Sequence, residues 1–191
     1  MVDDPTVRAH PLRAEAEADL TRLMHEITMI TGLGTRWGGV VQVRDLEFGH
    51  AGQKHGWCGI SLREDVLAVP EQRWTTMIHE ALHSVSGAFP ITRLDPTSGR
   101  WEEAIVEQTQ RLLRSELLRR LRVILSEESL RALDDSHRYN GHIRALELLR
   151  ESERRNGWDF YLQLLASTTE QRAWHVVAAS RLLAMQRGTG Q

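Results

Sequence analysis

The chain has 191 residues, 41% of them hydrophobic and 26% charged, with a formal net charge of −2, values that suit one compact unit with a core of its own. They carry no basic excess of the kind a nucleic-acid surface needs, no apolar run of membrane-spanning length, and only Cys58, which excludes an internal disulfide. The N-terminus lacks the basic start and apolar stretch of a secretory signal, so a cytoplasmic address is expected; the basic residues are nearly all Arg, with Lys54 the only Lys, a composition that suggests a GC-rich bacterial genome.

In chain order, Pro11 to Ile30 sets Leu20, Leu23, Met24, Ile27 and Ile30 at helical spacing and stops at Thr31-Gly32-Leu33-Gly34. This helix is expected to pack across a sheet. Val40 to Leu46 is β-branched and extended, a Gly- and His-rich loop runs from Gly49 to Gly56, Trp57 to Leu62 reads as a second strand, and Val66 to Val69 as a short third one. A helix from Arg73 to Gly87, a loop from Phe89 to Gly99 and a long helix from about Arg100 to Leu125 follow. The remainder reads as wholly helical, with one segment opening at Ser126-Glu127-Glu128, a second from about Arg138 to Arg155, and a third after the break at Asn156-Gly157. Ser167 with Glu170, and Thr168 with Gln171, offer capping boxes for a last helix ending near Gly188. On the long helix Arg111, Arg114, Arg119, Arg120 and Arg122 alternate with Leu112, Leu113, Leu117, Leu118 and Leu121, a pattern that reads as a solvated face over a core stripe.

The chemistry is concentrated in His79-Glu80-Ala81-Leu82-His83. A helix turns about 100° per residue, so two histidines four apart point the same way and can reach one cation. Neutral imidazoles bind Zn²⁺ at about 2.0–2.1 Å, and a catalytic site keeps three protein ligands and an open fourth position. Glu80, about 100° around the same helix, can sit beside the metal without binding it and take a proton from an attacking water. Met77, Ile78, Ala81, Leu82 and Val85 fall on the opposite arc, so the helix can bury one face and offer the other to the ion; surface histidines on a solvated face give the same pattern.

Two histidines need a third ligand. A metzincin continuation would place a His soon after the motif, and Ser84-Val85-Ser86-Gly87-Ala88-Phe89 does not. Downstream, Glu102-Glu103-Ala104-Ile105-Val106-Glu107 resembles the thermolysin-type gluzincin signature Asn-Glu-Ala-Ile-Ser-Asp, with Glu102 where the Asn stands and Glu107 where the Asp stands. Nineteen residues separate His83 from Glu103, and the resemblance implies the same gap between second His and Glu ligand as in thermolysin-like enzymes. It covers residues 79 to 107, and it implies that Glu103 is the third ligand and Glu107 the outer acceptor that holds the ring of His79. Glu103 and Glu107 share a helix face, where like charges repel by a few tenths of a kcal/mol unless a cation or donor intervenes. Glu102 is a rival for the ligand role, and acidic residues in a first helical turn are ordinary in any case.

Two further segments bear on mechanism. In gluzincin-like enzymes the edge strand before the metal helix pairs with an extended substrate, and Gly59, Ile60 and Ser61 are the candidates for that edge, an internal strand being the alternative. Ser136-His137-Arg138-Tyr139-Asn140-Gly141-His142 is rich in donors, and charge collecting on a carbonyl oxygen under attack calls for one. Tyr139 is the first candidate and His142 the second; a Tyr packed between helices is the plainer reading. His50 and His55 could form a further metal site but read more simply as loop histidines, and Cys58 reads as a small buried side chain.

The expected fold is α+β, with a small N-terminal mixed sheet over a zincin active-site helix and a helical C-terminal bundle. One domain is expected over residues 1–191, divided into helix plus sheet (1–72), metal-binding helices (73–125) and a helical subdomain (126–191). The expected activity is that of a zinc metalloendopeptidase with one Zn²⁺ per chain, acting on a peptide or protein substrate, with no nucleic-acid or membrane partner. An aminopeptidase is disfavoured because no segment for capturing a free amine precedes the metal helix. The alternatives are a catalytically inactive zinc-binding sensor or interaction domain of gluzincin type, and a helical interaction protein without metal.

Overall fold

Gly32, at φ 69°, ends the first helix by adopting the left-handed conformation that glycine takes without steric cost, its N–H returning to the Thr28 carbonyl. The computed structural model describes residues 10–46, 50–55, 59–88 and 96–188, the last stretch with side chains from 99 to 185. The elements are α1 (Arg13–Thr31), β1 (Val40–Val43), β2 (Gly52–His55), β3 (Gly59–Leu62), α2 (Glu64–Leu67), α3 (Pro70–Val85), α4 (Pro96–Leu121), α5 (Glu127–Asp135), α6 (Asn140–Ser152), α7 (Gly157–Ala166) and α8 (Thr169–Gly188). This is an α+β chain, mostly helical, with a small mixed sheet and a helical C-terminal region. It divides into two compact units, Met1–Val85 with Leu113–Ser129 and Ser86–Leu112 with Leu130–Gln191.

In the first unit the strand order is β1-β3-β2, with β1 parallel and β2 antiparallel to β3. Val41, Val43, Ile60 and Leu62 are buried, and the register pairs Val41 with Ile60 and Val43 with Leu62, which puts all four on one sheet face. Helix α1 packs on β1 and α3 through Ala16, Leu20, Leu23, Met24 and Ile27. Arg73 on α3 ties it down, at 2.9 Å from Glu15 and 2.5 Å from Asp19. Leu113, Leu117, Leu118 and Leu121 are buried, while the arginines beside them are taken up by carboxylates: Arg119 and Arg120 both hold Glu116, and Arg120 also reaches Glu26. Arg114, expected on a solvated face, is buried.

Several local expectations are corrected. The loop from Gly49 to Gly56 contains strand β2, which brings β3 to the centre of the sheet, so Gly59, Ile60 and Ser61 are no substrate edge: all four β3 residues are buried and paired on both sides. Val66 to Val69 is no strand, because Asp65 accepts a hydrogen bond from the Val66 N–H at 2.9 Å and the Ala68 N–H closes a turn on the Glu64 carbonyl, and two acidic residues in a first turn favour helix. Helix α3 starts at Pro70, where a residue without an N–H suits the first helical position, and α4 starts at Pro96, inside the expected loop. Helix α4 stops at Leu121 because Arg122 turns left-handed at φ 58° and the Val123 N–H returns to the Leu118 carbonyl.

The second unit is built on Trp101, Ala104 and Ile105 of α4, Ile143, Leu146 and Leu149 of α6, Phe160, Tyr161 and Leu164 of α7, and Ala179 of α8. Asn156 caps α7 by accepting the Trp158 N–H at 2.7 Å. At α8 the reciprocal capping box is Thr168 with Gln171: the Gln171 N–H donates to Thr168 Oγ1 and the Thr168 N–H to Gln171 Oε1. Ser167 instead turns its hydroxyl back to the Gln163 carbonyl. No helix among the described residues is long and apolar enough to cross a membrane.

Candidate metal centre

On helix α3 the two histidines differ in exposure, His83 buried and His79 half-buried. The expected buried arc of Met77, Ile78, Ala81, Leu82 and Val85 is present, but the opposite arc is partly enclosed as well, with Glu80 7% and His83 4% exposed. Surface histidines on a solvated face do not look like this; polar groups taken from water require partners or a cation. His79 Nε2 and His83 Nε2 stand 3.2 Å apart, with ring planes at 74°. A tetrahedral ion with bonds of about 2.0–2.1 Å sets two ligand nitrogens about 3.3 Å from each other, so the pair is already at the separation that a zinc ion demands. A neutral pair sharing one N–H···N hydrogen bond has a similar separation, which is why metal content is the decisive measurement.

Beside this pair, Gly52 of β2 lies against α3 so closely that a Cβ there would stand 2.7 Å from Thr76 Cγ2 and 2.8 Å from Glu80 Cγ. The missing side chain is thus what lets the outer strand close on the carboxylate-bearing turn. Gly52→Ala is expected to destabilise by about 1–3 kcal/mol through overpacking, because the added methyl would have to push Thr76 and Glu80 aside. Thermal melts check this, and a variant that melts like the wild type overturns it.

On α4, Glu102 and Glu103 are neighbours with different surroundings. Glu102 Oε2 meets Arg172 Nη1 at 2.6 Å, both side chains 3% exposed, whereas Glu103 is only half-buried. His79, His83 and Glu103 each offer one ligand atom, and the three atoms lie within 4.8 Å of one another; among the described residues this is the one such group of three. Glu102 is not in that group, and neither are His50 and His55. His55 belongs to β2 and points Nε2 at Ser61 Oγ, 2.7 Å away, in a polar cluster with Arg44 and Gln42. Cys58 lies outside the described residues.

Glu107, one turn beyond Glu103, is buried. It accepts from Gln110 Nε2 at 2.9 Å and Arg111 Nε at 3.0 Å, and His137 Nε2 stands 3.5 Å away. The like-charge repulsion expected along this face is therefore answered in part by Arg111. The segment that the sequence marks as donor-rich forms the turn between α5 and α6 together with the first residues of α6. The Tyr139 ring lies 5.5 Å from that of His137 and 6.3 Å from that of His142, and His142 stands edge-on to buried Trp101 at 4.8 Å. Burial first, and the Glu103 carboxylate second, push the Tyr139 phenol up, with Arg138 pulling the other way; the hydroxyl is a proton donor at neutral pH.

The sequence pattern marks neither Gly52 nor Arg172, sets Arg111 on a solvated face and includes His137 only as one of several donors in its segment. Arg111 alone left a local signal, standing four residues after Glu107 as Glu107 stands four after Glu103; the others act through strand pairing or across long separations. Compared with models of known protein families, with curated proteins and with solved structures, the chain finds no match in any of the three.

Proposed function

We propose that the chain is a zinc metalloendopeptidase of gluzincin type, in which His79, His83 and Glu103 hold one Zn²⁺ per chain. The observation that carries this reading is the convergence of those three ligand atoms within 4.8 Å, with the two imidazole nitrogens already 3.2 Å apart. When bound, zinc supplies Lewis-acid polarisation of a peptide carbonyl and an acidified water. The protein's own residues do the rest. Glu80, buried next to Gly52, accepts the proton of the attacking water and delivers it to the leaving amine. Tyr139, kept protonated, donates to the oxygen on which charge collects, with His142 as the second donor. Glu107 is the carboxylate that orients a ligand imidazole. Strand β2, an outer strand among the described residues, is the edge along which an extended peptide adds its backbone.

The ligand set is tested by metal analysis of protein purified without chelator. About one zinc per chain is expected for the wild type. Glu103→Ala and His83→Ala should each lose most of it, while Glu102→Gln keeps it. A wild-type chain that binds no zinc in buffered metal titrations overturns the assignment, and zinc retained by both ligand variants overturns the ligand set.

A further inference from the structure

Arg111 reaches further than its ion pair. Its Nε donates to Glu107 Oε1 at 3.0 Å, and its Nη2 donates to the Asp134 carbonyl and to Asn140 Oδ1, each at 3.0 Å. Asn140 Nδ2 donates in turn to the carbonyls of Asp134 and Asp135 at 2.8 and 3.0 Å. From the other side the Tyr139 N–H donates to His137 Nδ1 at 3.4 Å, and His137 Nε2 faces Glu107 Oε2. One guanidinium thus connects α4, the last turn of α5 and the first residue of α6. Between the last two lies the turn that carries His137 and Tyr139.

We propose that Arg111 is a positioning residue that fixes the α5–α6 turn on α4 and so sets where Tyr139 presents its hydroxyl. The planar fork is what the task requires: its N–H groups reach a carboxylate, a carbonyl and an amide oxygen at once, whereas a lysine ammonium on a flexible stem cannot span the same three acceptors. The plainer role for Arg111 is to satisfy the orphan carbonyl at the end of α5. That role predicts lower stability without any specific change at Tyr139. The proposal rests on the reading of Tyr139 as the donor to the reacting oxygen, but its first readout needs neither metal nor turnover.

The chain has two tyrosines, and Tyr161, buried in the α7 core, feels Arg111 only as a charge that Arg111→Lys retains, so it serves as an internal reference. In metal-free protein labelled with ¹³C in the tyrosine rings, Arg111→Lys is expected to shift or broaden the Tyr139 resonance and leave that of Tyr161 in place. Asn140→Ala removes the receiving amide and its two bonds to α5 carbonyls but leaves Arg111 on Glu107 and the Asp134 carbonyl, and is expected to move the same resonance less. In zinc-loaded protein, Arg111→Lys should lower kcat by about 10- to 100-fold at little changed KM, as a misplaced group does. An unmoved Tyr139 resonance in both variants overturns the proposal, and so do resonances of both tyrosines moving together, which marks general loosening. A wild type without zinc or hydrolysis defeats the functional reading while leaving the resonance test of Arg111 intact.

Discussion

Glu80→Gln is expected to keep about one zinc per chain and to lose about 10²- to 10⁴-fold in kcat, the largest effect on turnover of any single substitution proposed for this chain. The amide has the shape of the carboxylate and fits the same space against Gly52 and Thr76, so the fold and the imidazole pair have no reason to change. What disappears is the ability to take a proton. Burial sharpens the effect: with Glu80 7% exposed, bulk solvent is poorly placed to substitute for it. Zinc-loaded wild type and variant, incubated with a proteome-derived peptide library and read by mass spectrometry, separate three outcomes. Cleavage by the wild type alone supports the division of labour between metal and base. Equal cleavage by both removes Glu80 from catalysis. Cleavage by neither, with zinc bound in both, favours the inactive sensor or interaction domain.

The motif was legible because its information is local. Two histidines four apart on a helix face one way whatever the rest of the chain does, and the Glu103–Glu107 spacing has the same property. Strand β2 was not legible, since Gly52-Gln53-Lys54-His55 has no β-branched or aromatic residue and owes its conformation to pairing with β3 and packing on α3. Local sequence does not say which strand lies outside, and it is the pairing of β2 that makes β3 internal. Ser61 of β3 is buried, its hydroxyl in contact with Arg44, His55 and Gln42. At α2 the β-branched Val66 and Val69 pointed to a strand and the acidic first turn overrode them.

The choice between Glu102 and Glu103 shows where sequence reading ends, because the deciding residue is Arg172, on α8. Its Nη2 donates to Ser86 Oγ and to the Ser167 carbonyl, both at 3.2 Å, while Nη1 meets Glu102. This sequesters one of two adjacent carboxylates and leaves the other for the ligand group. Arg172→Met is therefore expected to destabilise by about 3–5 kcal/mol, since it takes from the buried Glu102 carboxylate the guanidinium that stands 2.6 Å from it. In a chain of this size that corresponds to a fall in Tm of about 6–20 °C. Arg172→Lys should fall between, keeping the charge and losing the fork. The diagnostic comparison is Arg172→Met combined with Glu102→Gln: with no charge left to strand, the pair should recover much of the loss, because the penalty belongs to the uncompensated ion more than to the missing contact. Thermal melts of the two single variants and the double variant check this. A single variant melting within about 2 °C of the wild type, or a double variant no better than Arg172→Met, would show that Glu102 is not held as a charged partner and would return it to contention as the third ligand.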